Sequence, residues 1–164
     1  MKNPCIVTVK ERKMIWLIGC KGMLGQDIEG LLLQRGLPHL ATDIEVDITD
    51  TAAMRAYLDK EGVTKLSFII NCAAYTAVDR AEDEADLAMR INRDGPECIA
   101  KAARKMGACL IHISTDYVFD GESGQAYLED DPVNPIGAYG RTKLEGERVI
   151  CKTAERYCIL RTAW

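Results

Sequence analysis

Short apolar runs recur along the chain, separated by stretches in which apolar positions repeat every three to four residues. The runs predict buried β-strands at residues 14–18, 37–42, 66–70, 109–114 and 157–162. The intervening periodic stretches predict amphipathic helices at 26–35, 52–60 and 84–106, and another helix beginning at Tyr139. The uninterrupted run at 66–70 is typical of a strand buried on both faces of a parallel sheet. Alternating strands and helices predict an α/β fold, a doubly wound, Rossmann-like parallel sheet.

Glycines follow the first predicted strand directly. Gly19, Gly22 and Gly25 form a G-x-x-G-x-x-G pattern that leads into the first helix. In such a turn the first glycine permits a tight bend, the second lets backbone approach a pyrophosphate, and the third lets helix pack on strand. The helix N-terminus adds free N–H groups for phosphate. The pattern favours dinucleotide binding, with a purely structural turn as the alternative.

Acidic and small residues follow the next two strands. Asp43 lies 24 residues beyond Gly19, near the spacing at which an acid meets the adenosine ribose hydroxyls, although a turn or cap residue would fit too. Asp47 and Ile48 suit an adenine edge, and Asp50 or Thr51 is expected to cap the following helix. The small residues at 71–76 would let a cofactor lie close to the backbone.

A hydroxyl pair and a Tyr–Lys pair carry the candidate chemistry. Ser114 and Thr115 end the fourth strand, and Tyr139 and Lys143 lie four apart on one helical face. A free phenol has a pKa of about 10, and a nearby ammonium is expected to lower it towards neutrality. Strand ends meet at one edge of a parallel sheet, so these groups should share a crevice with the glycine turn. Asn92, polar on an inward helical stripe, is expected to be a satisfied core asparagine rather than a site residue.

Composition narrows the classes of protein. The 164 residues fit one domain, and 48% hydrophobic and 28% charged residues are ordinary for a globular protein. The net charge of −4, with dispersed basic residues, argues against nucleic acid, and no apolar run is long enough for a membrane helix. The seven cysteines form no C-x-x-C pair, which predicts a reducing cytoplasm, no disulfide framework and no metal site.

These motifs together resemble the extended short-chain dehydrogenase/reductase family, across residues 14–164. The Y-x-x-x-K pair is family-wide. A narrower resemblance, to the reductases that complete dTDP-linked rhamnose, rests on GCKGMLGQ, DITD, INCAAYTAVDRAE, HISTDYVFDG, NPIGAYGRTKLEGE and LRTAW. The resemblance implies hydride delivery from NADPH or NADH to the C4 keto carbon of a dTDP-linked deoxysugar, and a homodimer in the full-length form.

The resemblance also implies roles for individual residues. Tyr139 would protonate the developing alkoxide, and Lys143 would hold the nicotinamide ribose and lower the pKa of Tyr139. Thr115 would hydrogen-bond the carbonyl oxygen, and Tyr117 would contact substrate. The other implied cofactor contacts are Gly19, Lys21, Gly22, Met23, Leu24, Gly25, Asp43, Asp47, Ile48, Ala73, Ala74 and Thr76.

Two departures from the family pattern bear on activity. Its members are usually near twice this length, so the chain is expected to be a cofactor-binding part, truncated before the substrate-gripping portion, with weak or absent turnover alone. Residues 1–13 match no pattern in the rest of the chain. They are expected to be an N-terminal extension, with a short extra strand at 5–9 as the alternative. Asp43 favours NADH, whereas rhamnose reductases commonly take NADPH, and Lys21 could offset its charge.

Two other functions share the fold. A nucleotide-sugar epimerase or dehydratase would use the same Tyr–Lys pair, but a dehydratase would be expected to carry an acid pair where Thr115-Asp116 offers one acid. A non-catalytic NADP-binding subunit, resembling the regulatory subunit of methionine adenosyltransferase, would not need the intact Thr115, Tyr139 and Lys143.

Overall fold

Five parallel strands form the sheet in the part of the chain that the structure describes. The computed structural model describes residues 14–163. The strands are β1 (Ile15–Ile18), β2 (His39–Thr42), β3 (Phe68–Asn71), β4 (Cys109–Thr115) and β5 (Tyr157–Thr162). They are arranged in the order β2-β1-β3-β4-β5, and every neighbouring pair is parallel. The predicted doubly wound α/β fold is confirmed. The extension at 1–13 and the strand considered at 5–9 lie outside the described residues.

Among residues 14–163, six α-helices connect the strands. They are α1 (Met23–Gln34), α2 (Thr51–Lys60), α3 (Arg80–Asp83), α4 (Ala85–Met89), α5 (Gly95–Met106) and α6 (Ala138–Thr153). Helix α1 begins three residues earlier than predicted, because its first turn already forms within the glycine pattern, where the Gln26 N–H donates to the Gly22 carbonyl at 2.9 Å. Asp50 caps α2: its Oδ1 accepts from the N–H groups of Ala52 and Ala53, at 2.8 and 3.2 Å.

The order of the strands decides which face each helix covers. The chain moves one way across the sheet from β1 to β2 and the opposite way from β2 onwards. Because parallel crossovers are right-handed, α1 lies on one face and the later crossover helices lie on the other. Helix α5 packs against both α2 and α6. The main core, which includes the fully buried Trp16, Ile69 and Leu110, forms between this helical layer and the sheet.

Strand β3 departs from the sequence prediction. Ile69 is fully buried, but Phe68 and Ile70, which point to the other face, are only half-buried. The physical reason is the unequal helical cover, since the helices after β2 pack on a single face. The expectation of a strand buried on both faces is therefore wrong for β3 within the described residues.

The predicted helical stretch at 84–106 is helical over residues 85–106 but is not regular throughout. Residues Arg90–Asp94 form a π-helical turn between α4 and α5, and the non-helical Glu84 separates α4 from α3. Pro96 has no N–H to donate to the Asn92 carbonyl four residues earlier, and the Gly95 N–H bonds to the Arg90 carbonyl instead. The freed Asn92 carbonyl faces Gly146 of α6, where an added Cβ would collide with it.

None of the helices within residues 14–163 has the length and apolar character needed to cross a membrane.

Candidate active site

The glycine turn holds the start of α1 against the sheet. Gly19 has φ +83°, a conformation that favours glycine, and a Cβ there would lie 2.6 Å from the Ala73 backbone nitrogen. A Cβ on Gly25 would collide with the carbonyl oxygen of Gly19. At Gly22 an added Cβ would meet only an ordinary contact at 3.5 Å. The first and third glycines are thus required by close backbone packing, as the pattern predicts.

A cleft of about 560 Å³ opens beside this turn, above the ends of β1, β2 and β3. We call it the Asp43 cleft. The Asp43 carboxylate accepts hydrogen bonds from the backbone N–H groups of Lys21 and Ile44, both at 2.9 Å, and so ties the glycine turn to the end of β2. Nine of the predicted contacts line this cleft, namely Gly19, Lys21, Gly22, Asp43, Asp47, Ile48, Ala73, Ala74 and Thr76.

A second cleft, of about 410 Å³, lies above the ends of β3 and β4. We call it the Tyr139 cleft. It brings together the remaining predicted residues, which are Met23, Leu24, Gly25, Thr115, Tyr117, Tyr139 and Lys143. Gly22, Cys72, Ala74 and Thr76 line both clefts, so the two form one groove along the carboxyl edge of the sheet. Such an edge, where the strand order reverses, is where doubly wound folds place ligands.

Tyr139 sits in the groove as a protonated phenol. Burial raises its pKa above the usual 10, while the Thr115 hydroxyl partly opposes the rise. The nearby Asp116 carboxylate and Tyr117 add to it. The ring of Tyr117, half-exposed, meets the Tyr139 ring edge-on with centroids 5.7 Å apart. A phenol held in its neutral form can donate a proton to a bound group.

Lys143 is only 2% exposed, and its ammonium donates a hydrogen bond to the Ile113 carbonyl at 2.7 Å. Burial lowers the pKa of Lys143 from 10.5 to about 8, while the Glu147 carboxylate and Cys72 act in the opposite direction. Lys143 is not among the groups that shift the pKa of Tyr139, which rises instead of falling. The Lys143 ammonium is directed to the end of β4, and the expectation that Lys143 lowers the pKa of Tyr139 stays a prediction.

Comparisons with known proteins place the chain in a family. The family described as "RmlD substrate binding domain" matches residues 13–164. The chain belongs to this RmlD family. The matched region includes the glycine turn and both clefts, so in this chain it covers the groove described above.

Individual relatives of this RmlD-family chain are reductases. It is 44% identical over 152 residues to dTDP-4-dehydrorhamnose reductase of Streptomyces griseus, covering 91% of this chain and 49% of that one. The Escherichia coli K12 reductase of the same name is 40% identical over 156 residues, covering 92% and 50%. The chain therefore spans about half the length of the curated relatives it matches.

Solved structures of reductases with this name are also similar to the chain. The dTDP-4-dehydrorhamnose reductase of Clostridium acetobutylicum has a TM-score of 0.85 and 43% identity, covering 92% of this chain and 53% of that one. The Bacillus anthracis enzyme, solved in complex with NADP, has a TM-score of 0.86 and 35% identity, covering 93% and 54%. A UDP-glucose 4-epimerase from Brucella ovis, at 23% identity and a TM-score of 0.79, shares the fold.

Asn92 connects the groove to helix α6. It is 1% exposed; its Oδ1 accepts from the Tyr75 N–H at 2.8 Å, and its Nδ2 donates to the Tyr75 carbonyl and to Thr142 Oγ1, both at 3.1 Å. The expected satisfied core asparagine is confirmed. Its partners lie in the segment after β3 and on α6 beside Lys143, so it also fixes the distance between the two walls of the groove.

Sequence reasoning missed a buried ionic network behind the Tyr139 cleft. Ser114 Oγ donates to Glu147 Oε1 at 2.5 Å, and Arg161 donates to both Glu147 carboxylate oxygens, at 3.1 and 2.7 Å. Arg161 also lies over the Phe119 ring at 5.1 Å. These hydrogen bonds connect β4 and β5 to α6 next to Thr115. Glu147 lies four residues after Lys143, on the same helical face, and this spacing was the one available signal.

A second buried pair supports Ala73. Asn71 accepts the Ala73 N–H at 3.0 Å, and its amide lies 3.0 Å from His112 Nδ1. The pKa of His112, fully buried, is held well below 6.5 chiefly by desolvation and also by Lys143. Among the described residues, no partner reaches His112 Nε2. A neutral imidazole here keeps the Asn71 side chain aimed at the backbone of the groove.

Other lining residues carried no signal of their own in the sequence. Cys72, Ile113 and Thr162 line the Tyr139 cleft, and Arg90 and Ile91 line the Asp43 cleft. Burial raises the pKa of Cys72 to about 11, which keeps this thiol protonated. Within residues 14–163, no cluster of three His, Cys, Asp or Glu side chains could hold a metal ion.

Proposed function

We propose that this chain binds a nicotinamide dinucleotide and carries the groups that reduce the C4 keto group of dTDP-4-dehydro-L-rhamnose to dTDP-L-rhamnose. The observation that carries the proposal is the meeting of Thr115, Tyr139 and Lys143 in a cleft continuous with the glycine turn. Relatives named dTDP-4-dehydrorhamnose reductase at 44% and 40% identity, and a structure of the same name at 35% identity solved with NADP, support it.

The groove divides naturally between the two ends of a dinucleotide. The glycine turn and the free N–H groups at the start of α1 would hold the pyrophosphate. Asp43 would face the adenosine ribose, with Asp47 and Ile48 beside adenine. Ala73, Ala74 and Thr76, at the end of β3, would let the nicotinamide half lie close to backbone, next to the Tyr139 cleft.

A bound nicotinamide coenzyme supplies the hydride. Tyr139, protonated at neutral pH, would donate its proton to the alkoxide that develops at C4. The Thr115 hydroxyl would hydrogen-bond the same oxygen and stabilise its charge in the transition state. Lys143, with a pKa of about 8, is mostly cationic at neutral pH and would bind the nicotinamide ribose. Tyr117, exposed at the mouth of the cleft, would contact the sugar.

The two other functions have weaker support. The UDP-glucose 4-epimerase is 23% identical to this chain, and at that identity the similarity supports a shared fold and no shared activity. A non-catalytic NADP-binding subunit would not require Thr115, Tyr139 and Lys143 to converge. A homodimer and a cytoplasmic location also remain proposals. The second is supported by six free cysteines among the described residues, as expected in a reducing compartment.

The proposal is tested by binding and by chemistry. NADH and NADPH are titrated calorimetrically into the chain, and saturable binding of either is expected. Because weak turnover is expected, product formation from dTDP-4-dehydro-L-rhamnose is followed by mass spectrometry with enzyme in excess. Tyr139→Phe should lower the rate by about 10²- to 10⁴-fold and leave coenzyme affinity within about twofold.

Tyr57→Phe is the matched control. It removes a phenolic hydroxyl on α2 and keeps the ring that stacks on Trp16, so it should leave both the rate and the coenzyme affinity unchanged. A folded chain that binds neither coenzyme would overturn the proposal. Equal rates for wild type and Tyr139→Phe would remove Tyr139 from the mechanism.

A further inference from the structure

The loop after β2 contains a second carboxylate beside that of Asp43, belonging to Glu45. Glu45 Oε2 forms an ion pair with Lys21 Nζ at 3.1 Å, and Glu45 Oε1 accepts the Asp43 N–H at 2.7 Å. One side chain thus binds both the cation of the glycine turn and the backbone of Asp43. The ion pair lies at the rim of the Asp43 cleft, where Lys21 and Asp43 are lining residues.

Both members of this pair are charged at neutral pH. The hydrogen bond and charge of Glu45 raise the pKa of Lys21. Backbone N–H groups and Lys21 lower the pKa of Glu45. The positive charge of Lys21 is therefore already matched by a carboxylate that the local backbone holds in place.

The other charges along the Asp43 cleft favour an uncharged ribose over a ribose 2′-phosphate at the adenosine end. The Asp43 carboxylate lies directly in the cleft, fixed by the Lys21 and Ile44 N–H groups. Arg90, the second cation of the lining, faces Asp47, whose pKa it helps to lower after the larger effect of Thr49. A ribose with free 2′ and 3′ hydroxyls could donate to Asp43, whereas a 2′-phosphate would meet two carboxylates and a cation already engaged.

Resting on the proposed function, we propose that Glu45 selects the coenzyme. By holding Lys21 it withholds that cation from a 2′-phosphate, and the Asp43 cleft takes NADH in preference to NADPH. One similar structure was solved with NADP. The proposed preference for NADH would therefore be a property of this chain's own residues after β2. Glu45 does not contact the reacting atoms; it is a specificity-determining residue that acts through Lys21.

The test compares dissociation constants for NADH and NADPH in wild type and Glu45→Gln. Glu122→Gln, the same change at an exposed loop residue that lines neither cleft, is the matched control. Wild type should bind NADH more tightly. Glu45→Gln should tighten NADPH binding by about five- to tenfold and change NADH by less than about twofold. The gain should shrink as salt is raised, because the ion pair is exposed.

A double variant, Lys21→Gln with Glu45→Gln, shows whether the gain passes through Lys21, in which case it should disappear. ADP and 2′,5′-ADP, titrated in parallel, report on the adenosine end alone and should repeat the pattern. Tighter NADPH binding by wild type, or the same coenzyme ratio in Glu45→Gln, would overturn the inference while the proposed function stands. A folded wild type that binds none of the four ligands would overturn both.

Discussion

At the scale of single residues, Lys143 carries a charge that is costly to bury. Its ammonium is 2% exposed and hydrogen-bonded to a backbone carbonyl of β4. Desolvation disfavours the charged form, and the lowered pKa of about 8 reflects this cost. A residue kept in such a place at a cost to stability is typical of a functional site.

The shifted pKa predicts how Lys143 affects stability with pH. Its folded pKa of about 8 lies below the usual 10.5, so the unfolded chain binds more protons between these values. The penalty is therefore complete below pH 8 and is relieved as the pH rises towards 10.5. Lys143→Met should raise the free energy of unfolding at pH 7 by about 1–3 kcal/mol, after the lost hydrogen bond is counted.

Urea denaturation at pH 7 and pH 10 measures this effect, and most of the gain from Lys143→Met should be lost at pH 10. Lys105→Met, at an exposed lysine near the end of α5, is the control and should change little at either pH. A Lys143→Met chain less stable than wild type at pH 7 would show that the ammonium contributes more by its contacts than its burial costs.

At the scale of elements, α6 and the π-helical turn at Arg90–Asp94 are matched surfaces. Pro96 frees the Asn92 carbonyl, and Gly146 provides the space into which it projects. Asn92 then bonds to Thr142 one turn earlier on α6. The irregular turn, the asparagine and the glycine together bring α6, which carries Tyr139 and Lys143, close to the residues after β3.

The close approach at Gly146 predicts opposite outcomes for one substitution at two sites. Gly146→Ala would drive a methyl group into the Asn92 carbonyl and should lower the free energy of unfolding by about 1–3 kcal/mol. Gly30→Ala, in α1 with open space around it, should raise it by about 0.5–1 kcal/mol through better helix propensity. Thermal or urea unfolding gives both values. Equal effects would mean that α6 shifts to accept the methyl.

At the scale of the whole molecule, the strands that carry the groove differ in how deeply they are buried. Within residues 14–163, β1 lies between β2 and β3 and all four of its residues are buried, whereas β5 has β4 as its one neighbouring strand and none of its residues is fully buried. The glycine turn therefore follows directly after β1, a strand that is buried along its whole length. The network at Arg161 is anchored on the edge strand.

Amide hydrogen exchange should follow this asymmetry. Amides at 15–18 should exchange at least about tenfold more slowly than those at 157–162, because an edge strand can open without breaking the centre of the sheet. Mass spectrometry of short peptides covers both segments, and a repeat at lower protein concentration controls for association. Equal protection of the two strands would show that β5 does not open independently.

Local features of the sequence were enough for the five strands, for most of the helices and for the predicted contacts of the groove, but not for α3 or the π-helical turn at Arg90–Asp94. The glycine spacing, the apolar runs and the four-residue step from Tyr139 to Lys143 are short-range, and carboxyl ends of parallel strands necessarily meet at one edge. All the predicted site residues accordingly line the two clefts. The roles of those residues stay predictions, because lining a cleft does not show what each one contacts.

The tertiary structure alone decided which distant groups meet and how burial changes them. Ser114 and Glu147 are 33 residues apart, and Asn92 and Thr142 are 50 apart, so no local pattern could pair them. The direction of the Lys143 ammonium, the raised pKa of Tyr139 and the half-open face of β3 depend on how α6 and the other helices cross the sheet. Packing, rather than spacing, sets the desolvation that each of these groups experiences.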